Sequence, residues 1–242
     1  MRIKLVLLTI SVLMFYSNIF AHYLWIETNT EGKIGETQTV NIFYGEFSYN
    51  IFEEVNGNFK EVSNFTVWLV TPDNQKIKLD CTPQEDRYVA EFTPDKEGTY
   101  LVMLNNETID VKDWREYGLG ILKPNFYSSA SVLVGDTNEE HKTVDVVNNL
   151  VVLGSKLNDN TYNLKVTFKN KPLAKQELVI GINEGWTKTV YTDENGSASF
   201  SAPWARQYLI ETIYNEETSG SYNETDYELI RHCATYSIKA SE

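Results

Sequence analysis

The chain alternates short apolar and aromatic runs with polar turn residues. Runs at His22–Glu27, Thr37–Tyr44, Phe65–Val70, Lys76–Leu79, Tyr88–Thr93 and Thr99–Leu104 are rich in β-branched and aromatic side chains. Between them lie Asn56-Gly57-Asn58, Thr71-Pro72-Asp73-Asn74, Thr93-Pro94-Asp95 and Glu97-Gly98, all turn formers. This spacing predicts a β-sandwich rather than a helical fold. Phe65–Val70 is nearly continuous in apolar residues, as a strand covered on both faces requires. Asp110–Tyr117 breaks the rhythm and predicts one or two helical turns, stopped by Gly118 and Gly120. Strand character resumes over Phe126–Val134.

Gly135–Lys142 is polar and reads as a linker. Beyond it the same grammar returns at Tyr162–Phe168, Glu177–Ile182, Thr187–Tyr191, Ser197–Ser201, Gln207–Tyr214 and Glu228–Lys239. Lys169-Asn170-Lys171-Pro172 and Thr192-Asp193-Glu194-Asn195-Gly196 are hairpin turns, the second ending in an Asn-Gly pair suited to positive φ. Asn215–Thr225 reads as a long polar loop. The expectation is an all-β protein of two β-sandwich domains, residues 22–140 and 141–242.

Residues 1–21 read as an export signal. Arg2 and Lys4 precede an apolar run, Leu5–Tyr16, that is too short for a confident membrane span, and Ile19-Phe20-Ala21 suits cleavage after Ala21. The mature protein is then expected to be periplasmic or secreted and not embedded in a membrane. In that compartment Cys81 and Cys233 could form a disulfide or remain two small buried apolar residues. The chain is 42% apolar, enough for a sizeable core, and its net charge is −13. Loss of Arg2 and Lys4 with the signal would leave it more acidic still. Such a surface repels phosphate backbones, so nucleic acid is excluded as a partner.

The chemical inventory is short. There is no phosphate loop, no Gly-x-Ser-x-Gly and no His-Glu-x-x-His, so the reading is a binding protein and not an enzyme. Three histidines are present, at 22, 141 and 232. Cleavage after Ala21 would make His22 the first residue. Its α-amine and imidazole Nδ1 could then close a six-membered chelate on one metal ion, and the amine's ordinary pKa near 8 lets a metal displace its proton. One further imidazole would give a nitrogen set suited to copper, nickel or cobalt. His232, in the last strand run, is the candidate for it, although adjacent Cys233 must face the other way. His141, in the acidic linker, reads as a solvated loop residue. Glu46, at a strand end in Tyr44-Gly45-Glu46-Phe47, is a candidate oxygen ligand. The aromatic residues, Trp114, Trp186 and Trp204 among them, leave open a glycan- or protein-binding surface.

Ala21-His22-Tyr23-Leu24-Trp25-Ile26-Glu27, Tyr44-Gly45-Glu46-Phe47 and Phe65–Pro72 resemble an exported bacterial family of unknown function, the NikM-like periplasmic components of cobalt/nickel uptake. Leu164–Ala174, Thr192–Phe200 and Ala234-Thr235-Tyr236 extend the resemblance over most of the mature chain. It implies an immunoglobulin-like first domain, a transthyretin-like second domain, a divalent transition metal (nickel, cobalt or copper) as ligand, and a membrane metal transporter as partner. Where some relatives carry Gly-His, this chain has Gly45-Glu46, so a nitrogen ligand is replaced by an oxygen one. The resemblance carries over His22 and, with less of the motif behind them, Glu46 and His232. Two functions of different classes follow: a metal-binding protein of metal uptake or handling, and a non-enzymatic adhesion or interaction module. A copper oxygenase would use the same His22 chelate but finds no substrate surface in the sequence.

Overall fold

A computed structural model describes residues 22–135, 149–158 and 160–240. The expected signal, the 140/141 boundary and His141 lie outside them. Fourteen main strands carry the fold. They are β1 (Tyr23–Glu27), β2 (Gln38–Glu46), β3 (Thr66–Val70), β4 (Lys76–Leu79), β5 (Tyr88–Phe92), β6 (Gly98–Asn106) and β7 (Ile121–Val134), then β8 (Leu150–Asn158), β9 (Thr161–Phe168), β10 (Glu177–Gly181), β11 (Thr187–Tyr191), β12 (Ser197–Ser201), β13 (Gln207–Glu216) and β14 (Leu229–Lys239). The protein is all-β, as the turn-punctuated runs predict. Among the described residues no helix is long and apolar enough to cross a membrane.

A central sheet runs in the order β11-β10-β13-β14-β7-β6-β3-β4. It draws strands from both halves of the chain. They join through the parallel pairing of β7 with β14, which sets Asn125 beside His232, Phe126 beside Cys233 and Ser128 beside Thr235. An outer sheet, β1-β2-β5, covers one face, and a second outer sheet, β8-β9-β12, covers the other. The result is two sandwiches sharing a middle layer.

Side-chain alternation along the central strands fills both interfaces. Phe126, Ala130, Val132 and Cys233 pack with Tyr23, Ile26, Val40 and Ile42 of the first outer sheet. Tyr127, Ala234, Tyr236 and Ile238 pack with Val152, Leu164 and Val166 of the second. Cys81 and Cys233 are free thiols. Burial pushes each up to about 11, which makes both poor nucleophiles.

The helical turns expected at 110–117 shrink to a short pairing, Lys112–Asp113 with β7, and one 3-10 turn, Arg115–Tyr117, closed by left-handed Gly118. The polar stretch 215–225 is not all loop. β13 continues to Glu216, and Gly220–Tyr222 forms a hairpin with Thr225–Tyr227.

β1 lies at the edge of its sheet, with β2 as its ladder partner. Hydroxyls rising from the central sheet occupy its other edge. Thr235 Oγ1 donates to Leu24 O at 2.9 Å, Ile26 N donates to Ser128 Oγ at 3.0 Å, and Ser237 Oγ donates to Ile26 O. Three buried backbone groups that a bare edge would leave unpaired are thereby satisfied.

Candidate metal centre

His22 stands one step beyond the last β1–β2 pair, Tyr23 with Gly45, so the ladder register places it across from Glu46. After Glu46 the chain turns back through Phe47–Tyr49 and left-handed Asn50, and Ile51–Phe52 pairs with Gly45–Glu46. The approach is close. A Cβ on Gly45, whose φ is +146°, would lie 2.2 Å from Ile51 O. Only glycine accepts both that backbone and that contact. Glu53 N then donates to Tyr44 O at 2.8 Å, which returns the Glu53 side chain to His22.

The imidazole therefore sits between two carboxylates. Its Nε2 is 2.7 Å from Glu53 Oε1, and its Nδ1 is 3.2 Å from Glu46 Oε1. Glu53 is anchored on its other oxygen by Asn58 Nδ2 at 2.9 Å. The Tyr44 ring covers His22 at 5.3 Å. Glu46 is 6% exposed, and its Oε1 is buried without a hydrogen bond of good geometry, close to Nδ1 though it is. Burial raises the Glu46 carboxyl above its ordinary value, with His22 opposing.

The arrangement has a simple consequence. A hydrogen bond from Nε2 to Glu53 fixes the neutral ring with its lone pair on Nδ1, and that lone pair faces the carboxylate of Glu46. Two acceptors at 3.2 Å repel unless a cation lies between them, either a second ring proton or a metal ion.

His232 is held elsewhere. It lies on β14 between Asn125 of β7 and Tyr214 of β13, 1% exposed. Its ring stacks on Tyr127 at 5.8 Å and meets the Phe168 edge at 5.0 Å. Nδ1 is 3.1 Å from Tyr127 Oη, and Nε2 is 3.2 Å from Glu216 Oε2. Tyr127 Oη also donates to Glu107, and Lys169 pairs with Glu216. Burial lowers the His232 pKa, with Glu216 opposing. Cys233, one residue on, joins the core that contains Tyr23. His22 and His232 thus lie on opposite sides of the central sheet. The structure brings His22 and Glu46 together and leaves His232 in a separate buried network.

Glu53 was not singled out in the sequence, although its place after the Asn50 turn and the apolar Ile51-Phe52 pair was a usable signal. Among the described residues no group of three His, Cys, Asp or Glu side chains is arranged to hold a metal ion. A centre here needs a donor besides those side chains, and the α-amine of a chain starting at His22 would be one.

A family model described as a domain of unknown function, DUF4198, matches residues 19–216. The chain belongs to that family. The DUF4198 match includes His22, Glu46 and Glu53 and ends before His232. No curated protein matches the chain. Among solved structures it is similar to a Salmonella alpha-2-macroglobulin mutant at 11% identity and a TM-score of 0.32, over 90% of this chain and 15% of that one. A segment of two fibronectin type-III domains from chicken tenascin is similar at 13% identity and a TM-score of 0.22, over 86% of this DUF4198 chain and 95% of that one. This chain thus spans 15% of the length of the macroglobulin it matches.

Proposed function

We propose that this protein binds a divalent transition metal (nickel, cobalt or copper) at His22, in the periplasm or outside the cell, as part of metal uptake or handling. The supporting observation is that His22 Nδ1 lies 3.2 Å from Oε1 of Glu46, a buried oxygen without a hydrogen bond of good geometry. In a chain beginning at His22, the α-amine, Nδ1 and Glu46 form two nitrogen donors and one oxygen donor, a set that suits these borderline metals. Glu53 orients the ring from behind, as outer carboxylates do at histidine-ligated metals. His232 has no part in this reading, and transfer to a membrane transporter is the step that would follow binding.

The test is calorimetric titration of copper, nickel and cobalt into protein that begins at His22, into the same protein with one residue added in front, and into His22→Ala. The extension turns the amine into an amide and should weaken binding strongly with the fold intact. Equal affinity in all three refutes the reading.

A second reading, a non-enzymatic surface for glycan or protein, draws on Trp204. It is 45% exposed and set edge-on to Trp186 at 5.4 Å. Quenching of its fluorescence by oligosaccharides would favour this reading.

A further inference from the structure

The imidazole of His22 has two carboxylates within reach, and they are held differently. Glu53 Oε1 lies 2.7 Å from Nε2, and Glu46 Oε1 lies 3.2 Å from Nδ1. A neutral ring carries one proton, so it donates to one acid and shows a lone pair to the other. Glu53 is braced from behind, its Oε2 accepting from Asn58 Nδ2 at 2.9 Å. Glu46 Oε1 is buried and has no such donor. Asn58 is the side chain that sets the two acids apart.

Asn58 is itself fixed from below. It opens the 3-10 turn Asn58–Val62, and the next residue, Phe59, is fully buried. Phe59 meets Tyr88 at 5.2 Å and Tyr44 at 5.8 Å, and Tyr44 in turn covers His22 at 5.3 Å. The far end of the turn is tied by buried Asn106, whose Nδ2 donates to Val62 O at 2.7 Å. Upstream, Val55 N donates to Glu85 O at 2.9 Å and Gly57 N to Glu54 O at 2.8 Å. Two consecutive residues of one turn therefore reach the same imidazole, Asn58 through Glu53 and Phe59 through Tyr44.

We propose that Asn58 is a positioning residue that decides which ring nitrogen of His22 is left open. The use of that choice rests on the metal-binding reading above; the choice itself is a property of the metal-free protein. Donation to one oxygen of Glu53 orients the carboxylate and turns its other oxygen to the ring, so the proton sits on Nε2 and Nδ1 is bare. Nδ1 is the nitrogen that can close a chelate with the α-amine of the same residue. The opposite tautomer would point its proton at Glu46, block the chelate and leave two acceptors 2.7 Å apart at Nε2. The Glu53 side chain is 18% exposed, so without the amide it can swing toward water and its hold on Nε2 weakens.

The test reads the tautomer directly, from nitrogen NMR shifts of the isotope-labelled His22 ring in metal-free protein beginning at His22. It is run at about pH 8, where an ordinary imidazole is neutral, with signals assigned against His22→Ala. The native protein should hold the Nε2–H form. Asn58→Leu removes the donor and should shift population toward Nδ1–H. Asn58→Asp, of the same shape with an acceptor in place of the donor, should shift it further. Asn58→Gln keeps an amide donor and should recover part of the native population. Melting temperatures should stay near native, because Asn58 is exposed and Phe59 holds the turn. Nickel titrated into the same samples should bind about threefold to tenfold more weakly in the Leu and Asp variants. Native tautomer populations in both of those variants overturn the proposal, as does an Nδ1–H ring in the native protein. A tautomer shift in samples that bind no nickel, copper or cobalt, the native protein included, keeps the role of Asn58 and removes the metal reading alone.

Discussion

Thr235 Oγ1 donates to Leu24 O at 2.9 Å and lies 2.8 Å from Ser128 Oγ, so one hydroxyl couples β14, β7 and the open edge of β1. Thr235→Val keeps the shape and deletes the donor, leaving a buried carbonyl unpaired. The expected loss is about 1–3 kcal/mol of stability, read from the midpoint of chemical denaturation. Since β1 carries His22, metal affinity should fall in the same variant. A stability loss without any change in binding would show that the edge contact does not position His22.

Gly45→Ala tests the turn behind the centre. The added methyl meets Ile51 O, and the φ of +146° is unfavourable for any L side chain. Relief requires Ile51–Phe52 to move away from Gly45–Glu46, which carries Glu53 with it. The variant should lose more than about 1 kcal/mol and most of its metal affinity. A melt and a titration on one sample check both.

Glu53→Gln leaves β2 and Glu46 in place but weakens the partner that fixes the ring tautomer. Affinity should drop about 10–100-fold, with the thermal midpoint nearly unchanged. Calorimetry at constant pH decides it.

His232→Ala separates His22 from the buried His232 by function. It should cost about 2–3 kcal/mol, since Glu216 loses a partner and the stacked Tyr127 ring loses its neighbour, while metal affinity stays native. A matching loss of affinity would contradict the placement of the two rings on opposite faces of the sheet.

The same network sets an acid limit. His232 has a lowered pKa in the fold, so the unfolded chain binds the proton more readily. Its contribution is present above the ordinary value of 6.5 and is lost as pH falls through the lower folded value. Burial pushes the Glu216 carboxyl up, but Lys169 and His232 together hold it below its ordinary 4.5, so its contribution fades at still lower pH. Melting temperature should decline from pH 7 toward pH 5. The decline should flatten in His232→Phe, which has no group to titrate.

The strands were legible where apolar residues cluster between turn formers, as at β3 with Thr71-Pro72-Asp73 after it. Two kinds of feature were not. β8 was missed because Gly154-Ser155-Lys156 in its second half carries little apolar signal, while its buried Leu150, Val151 and Val152 follow a polar stretch. The joining of both halves in one sheet was also hidden, because β7–β14 pairing is a long-range choice that neither strand's sequence announces. At the candidate centre, His22 and Glu46 were readable from their places at a strand start and a strand end. Glu53 arrives only through the folding-back of 47–52. His232 misled because an imidazole among strand residues looks the same in sequence whether it faces a ligand or stacks on Tyr127.

β14, at residues 229–239, occupies the middle of the central sheet, flanked by β13 and by β7 from the first half. Contacts between positions as distant as Leu122 and Leu229 must form before either interface is closed. Such pairing slows folding, and the first half emerging alone would present β7 with an unfilled parallel edge. The topology delays completion until nearly the whole chain is available. A polypeptide threaded across a membrane in extended form would reach the far side before it could lock.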